Sequence, residues 1–153
     1  QLAEAETEND LYFVFTSQEE VGLRGAGAAA FSVEPDVAIA VDVTDTGDLP
    51  ERKTPMAVDM GKGPAVKVMD RSVICTPAVC AALEQAGADC GVATQREILQ
   101  FGGTDTAALQ KARAGVQAGA ISIPTRYIHS PSEMCAVSDV EGAAKLLARF
   151  AAM

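Results

Sequence analysis

Short apolar runs rich in β-branched residues alternate along this chain with Ala- and Gly-rich stretches that carry helix signals, and that alternation permits few folds. Leu11 to Thr16 (LYFVFT) and Val37 to Val43 (VAIAVDV) are each too short for a helix and are bounded by polar or turn residues, so they read as buried strands. Ala65 to Met69 reads as a third, shorter strand. A helix is predicted after the first run, to about Phe31, and Thr76-Pro77 sets an N-cap residue before a proline at the first helical position. That second helix runs to Gln85 and is stopped by Gly87. Further along, Val92 to Thr94 is a strand candidate, Thr104-Asp105 a helix start, and Val116 to Pro124 with Arg126 to His129 a strand or a broken pair. Ser138 and Glu141 have capping-box spacing and open a final helix with Ala143, Leu146, Leu147 and Phe150 on one face. Gln1 to Glu6 reads as the tail of an amphipathic helix. Strands alternating with helices predict an α/β domain, a mixed, mostly parallel sheet with helices on both faces.

With 153 residues, 48% of them hydrophobic, the chain can bury one real core and not two. Trp is absent and aromatics make up 5%, so that core is expected to be small-residue helices packed closely on a sheet. The formal charge of −9 gives no basic patch of the kind that neutralises a phosphate backbone, which argues against nucleic acid as a partner. No apolar run reaches membrane-spanning length and no secretory signal is visible, so no membrane partner is expected and the cytoplasm is the expected compartment. The cysteines Cys75, Cys80, Cys90 and Cys135 lack CxxC spacing and sit in apolar or helix-like contexts, so they are expected as reduced core thiols.

The strand candidates end in ionisable residues. LYFVFT runs into Glu19 and Glu20, VAIAVDV carries Asp42 near its end, and the run AISIPTRYIH ends at His129. Ligands of open α/β sheets bind beyond the carboxyl ends of the strands, where groups far apart in sequence can meet. Each residue also has a plain structural reading. Ser17 and Glu20 have the spacing of a capping box. Asp42, a carboxylate in an apolar strand, fits a buried ion pair as well as a cation site. His129, the only histidine, fits a hydrogen-bonded strand end. As a set, imidazole plus carboxylates is the donor type of hydrolytic zinc, cobalt or manganese sites, and adjacent glutamates suit one ligand and one proton acceptor. A glycosidase needs its two carboxyls facing each other across a sugar, which consecutive residues do not provide.

Five segments then resemble one family in order and spacing: TSQEEVGLRGA, VDVTDTGDLP, GKGP, FGGTDTAALQ and IPTRYIHSPSE. They are similar to the tetrahedral aminopeptidases, a family of dinuclear metallopeptidases that includes glutamyl aminopeptidases and proteins often labelled cellulases. The resemblance implies a zinc-exopeptidase-like α/β domain that uses two divalent metal ions, zinc, cobalt or manganese, to remove N-terminal residues from peptide substrates. It implies Glu19 as general base, Glu20 and His129 as ligands of one metal and Asp42 as a ligand of the other. It also implies a homo-oligomer, commonly of twelve subunits.

The family shares a bridging aspartate between its metals and adds a further histidine, both from sequence preceding the strand that leads into the paired glutamates. The residues before Glu19 contain no histidine, and Asp10 stands too close to the strand to be the bridge. The chain is therefore expected to be the carboxyl-terminal part of a catalytic domain, without its amino-terminal part or the dimerisation domain. Such a fragment is expected to hold an incomplete metal site and to be inactive alone. The competing expectation is a non-catalytic assembly domain of the same fold.

Overall fold

A computed structural model describes residues 7–50 and 54–153. Its elements in chain order are α1 (Arg24–Val33), β1 (Val37–Thr44), β2 (Ala65–Met69), α2 (Pro77–Asp89), β3 (Gln95–Ile98), α3 (Thr106–Gln110), β4 (Gln117–Arg126), β5 (Met134–Cys135) and α4 (Val137–Ala151). The strand order is β1-β4-β2-β3, with β5 on the outer end of β4. Eight residue pairs join β1 to β4 in parallel and β2 runs parallel to β3, whereas β2 meets β4 antiparallel over Ala65–Ser122 and Val66–Ile121. The sheet is mixed, as expected.

The side-chain alternation of the strands sorts the two faces. Val66 and Ile121 point to one face, where Val79 and Leu83 of α2 and Ala143 and Leu146 of α4 close the main core. The opposite face carries Ala38, which packs with Ala30 of α1 and with Ala112 and Val116 beyond α3. Small side chains there let the helix backbones approach closely, which is why an alanine-rich chain with little aromatic content still excludes water. Among the described residues no helix is long and apolar enough to cross a membrane.

Several sequence expectations are corrected. LYFVFT is not a hydrogen-bonded strand: Tyr12, Phe13, Val14 and Phe15 are exposed, Phe15 at 99%. An apolar run becomes a buried strand only when a neighbour pairs with it, and here a groove separates it from β1. Gly87 does not stop α2, which continues to Asp89, because the buried series Val79, Leu83 and Ala86 carries the helix past a residue whose propensity cost is about 1 kcal/mol. Val92 to Thr94 is not a strand, and β3 begins one residue later. Of the two readings of Val116 to His129, the single strand holds: β4 is continuous and is followed by a turn from Tyr127. Helix α4 starts at Val137 behind Ala136 with no side-chain cap, so Ser138 and Glu141 form no capping box. Asp139 in that first turn instead accepts the backbone N–H of Gly61 at 2.7 Å and of Gly63 at 2.9 Å, tying the GKGP loop to the helix. All four thiols are free, but Cys135 is exposed and not in a core. The expected amphipathic tail at Gln1 to Glu6 lies outside the described residues.

Candidate active site

In the TSQEEVGLRGA segment, residues 16–23 form a tight turn that leads into α1 at Arg24. The N–H groups of Gly22 and Leu23 donate to the Glu19 carbonyl, and the Gly25 N–H donates to the Ser17 carbonyl at 3.0 Å. A side chain at Gly25 would put its Cβ 2.6 Å from Ser17 backbone atoms, so only glycine admits this fold-back. Helix α1 begins four residues after Glu20, with Leu23 at its N-cap and no side-chain cap. Ser17 and Glu20 therefore do not cap it. Glu20 is left exposed on the wall of a cavity, and Glu19 is half-buried beside it.

Asp42 comes from β1 and is held there by register. It sits opposite Ser122 of β4, half-buried, and its Oδ1 accepts the Val43 N–H at 2.8 Å. His129 follows β4 in a turn where both it and Tyr127 adopt left-handed backbone, at φ 60° each. Gln18 (φ 60°) and Leu23 (φ 56°) do the same on either side of the glutamate pair. Such conformations are costly for non-glycine residues and gather at functional sites. The turn is fixed by Glu133, whose Oε1 accepts the His129 N–H at 2.6 Å.

The structure brings the four sequence-picked residues to one place. His129 Nδ1 lies 3.6 Å from a Glu20 carboxylate oxygen. Glu20, Asp42 and His129 line a cavity of about 470 Å³, together with Glu133, Phe101 and Thr104. Glu19 adjoins them: burial first, then the Asp42, Glu20 and Asp105 carboxylates raise its pKa above the ordinary glutamate value, and His129 opposes this. Burial is also the largest cause raising the pKa of Asp42, with the Val43 N–H and Lys67 pulling it down.

Two acids that sequence reasoning left out of the site belong to it. Asp105 accepts a 2.6 Å hydrogen bond from the Thr16 hydroxyl and so anchors the segment that delivers Glu19. Glu133 orients His129, as above. Both lie inside motifs already quoted, FGGTDTAALQ and IPTRYIHSPSE, so the signal was present, but Asp105 read as a helix start.

Beneath Asp42 lies a buried charged layer. Lys67 of β2 and Glu97 of β3 form an ion pair with both side chains fully buried, and Asp70 stands 3.6 Å from the same ammonium. Thr44, two residues after Asp42 on the same face of β1, donates to Glu97 Oε1 at 2.7 Å.

The donor set suits a divalent metal ion by type, since oxygen from Glu20 and nitrogen from His129 already face each other. It is not a closed cage. Among the described residues no three or more such side chains are gathered closely enough to hold an ion.

Comparison with known proteins places these features. The chain is 56% identical over 141 residues to a protein of Acetivibrio thermocellus provisionally named an aminopeptidase, covering 92% of this chain and 42% of that one. Among solved structures, an aminopeptidase from the archaeon Desulfurococcus kamchatkensis matches with TM-score 0.86 and 38% identity, over 90% of this chain and 39% of its own. The TET1 peptidase of Pyrococcus horikoshii, described as assembling into a tetrahedron or a large octahedral shell, matches with TM-score 0.79 and 32% identity, over 90% and 39%. The chain thus spans about two fifths of the length of these relatives. The family model for M42 glutamyl aminopeptidases matches residues 1–146, and this chain belongs to that family.

Proposed function

We propose that this chain is the carboxyl-terminal part of the catalytic domain of a metal-dependent aminopeptidase, which hydrolyses the N-terminal residue from peptides. The observation that carries the reading is the meeting of Glu20 and His129, 3.6 Å apart, in a cavity that also receives Asp42 and adjoins Glu19. Glu20 and His129 would hold one divalent ion and Asp42 another, zinc, cobalt or manganese. Such ions, when bound, polarise the scissile carbonyl and acidify water. Glu19 accepts the proton of the attacking water as the new C–O bond forms, then returns a proton to the amine as the C–N bond breaks. Its raised pKa suits a group that must do both.

Two bound metals need about five protein ligands if they share one carboxylate, and the described residues assigned to that role are three. The groove beside β1 suggests where the others enter. Among the described residues β1 pairs only with β4, leaving its other edge facing a cavity of about 240 Å³. Across it stand Tyr12, Val14 and Thr16, alternate residues as an extended segment presents them, over a floor of Ala29, Ala30 and Val33. We read this as the slot of a further strand from the rest of the protein, which would bury the exposed LYFVFT segment and carry the remaining ligands to the cavity. The isolated chain is accordingly inactive, and the full-length protein is a homo-oligomer, a dodecamer by analogy with the TET peptidases.

A non-catalytic assembly domain is the second reading, favoured by the lack of a closed metal cage among the described residues. The Glu19→Gln variant of the full-length protein separates them. The aminopeptidase reading expects metal still bound and peptide cleavage lost by a factor of about 100 or more. Wild-type protein purified without chelator that holds no transition metal favours the assembly domain, and normal turnover in the variant removes Glu19 from the base role.

A further inference from the structure

The Lys67–Glu97 pair is not required by the steps above, and its burial calls for a reason. Two fully desolvated charges are costly, and a well-packed apolar pair of similar volume is often as stable or more so. The pair is also not isolated. Glu97 Oε1 receives the Lys67 ammonium from β2 and the Thr44 hydroxyl from β1, so the one oxygen of a β3 side chain joins β1, β2 and β3. Lys67 further faces Asp70, whose other oxygen takes the backbone N–H groups of Ser72 and Val73, fixing the turn that leaves β2.

The consequence falls on Asp42. Among the described residues β1 is held by β4 along one edge only, and Val41 and Val43 on its other face are exposed. What fixes its end on the Asp42 face is the hydroxyl of Thr44, one pleat repeat beyond, hooked onto a glutamate that is itself clamped by a buried lysine. We propose that Thr44, Glu97 and Lys67 are positioning residues that hold the Asp42 carboxylate at the geometry a metal ion needs. The inference rests on the aminopeptidase reading, in which Asp42 is a ligand. Groups hydrogen-bonded directly to a ligand tune affinity by about 10- to 100-fold, and residues that act through the strand, as these do, are expected at the low end.

Removing either buried charge alone strips the other of its nearest partner and risks the fold, so the decisive variants are at Thr44. Thr44→Val keeps shape and both charges and deletes only the hydroxyl, while Thr44→Ser keeps the hydroxyl and deletes a methyl group. Full-length wild type and both variants are titrated with zinc against a competing chromogenic chelator. The expected result is zinc affinity about tenfold weaker at one site in Thr44→Val and within about twofold of wild type in Thr44→Ser. Unchanged affinity in Thr44→Val, or an equal loss in both variants, overturns the positioning role while leaving the aminopeptidase intact. A wild type that binds none of zinc, cobalt and manganese overturns the aminopeptidase reading and this inference with it.

Discussion

The imidazole Nδ1 of His129 stands 3.6 Å from a Glu20 carboxylate oxygen, and neither side chain is buried: His129 is 67% and Glu20 74% exposed. A pair this open gains little as a salt bridge, since solvent screens it. Its arrangement is explained better by what the two groups face, a cavity with Asp42 on its wall. His129→Ala in the full-length protein is therefore expected to cost little stability but to lower bound metal sharply, by about tenfold or more in affinity. Elemental analysis of protein dialysed against graded chelator checks this, and a variant that retains its metal removes His129 from the ligand set.

The GKGP loop gives a test of architecture rather than chemistry. Gly63 has φ +97°, and a Cβ there would lie 1.9 Å from the Ala93 carbonyl oxygen, with no flexible atom able to yield. Gly63→Ala is expected to destabilise by about 2 kcal/mol or more. Asp139→Ala, which strips the acceptor from the Gly61 and Gly63 N–H groups, is expected to cost a similar amount, because hydrogen bonds to a charged group contribute about 1.5–3 kcal/mol. Urea unfolding of each variant measures both, and the double variant should lose less than the sum because the two changes disrupt the same loop.

What was legible in the chain follows from where the determining forces lie. β1 and β2 were visible because burial writes itself into short β-branched runs, and Glu19, Glu20, Asp42 and His129 because ionisable residues ending apolar runs are conspicuous. The exposure of LYFVFT was not legible, since its burial depends on a pairing partner that no local pattern specifies. Asp139 was hidden for a related reason. Its partners, Gly61 and Gly63, are remote in sequence, and the neighbouring Ser138 and Glu141 imitate a cap. Asp105 and Lys67 likewise owe their roles to Thr16 and Glu97, which only the folded chain brings to them.

Asp48 and Arg126 join the loop after β1 to the end of β4, with Arg126 Nη2 donating to Asp48 Oδ2 at 2.6 Å and Nε to Oδ1 at 3.2 Å. The hydrogen bond from Arg126 is the chief cause holding the Asp48 pKa down at about 2, below its ordinary 3.8. A carboxylate depressed by folding stabilises the native state above its unfolded pKa and loses that contribution as pH falls through the folded one. The pair is therefore expected to weaken between about pH 4 and pH 2. Arg126→Ala should cost no more than about 1 kcal/mol at neutral pH, because both side chains keep some solvent contact, and should flatten the stability curve in that acid window. Chemical denaturation at a series of pH values reads both effects, and parallel curves for variant and wild type would dismiss the linkage.

The thiols divide by environment in a way that a simple reagent reads. Cys75 is buried, and burial pushes its pKa up to about 12, so it is protonated and shielded at neutral pH. Burial raises the Cys80 thiol as well, and Cys80 and Cys90 are half-buried. Cys135, in the short outer strand β5, is exposed. Reaction with a disulfide reagent requires thiolate and access together, so Cys135 is expected to react first and Cys75 only as the protein unfolds. Cys135→Ser should abolish the fast phase and leave the denaturant-dependent phase unchanged. A fast phase that survives this substitution would belong to Cys80 or Cys90 and overturn that order.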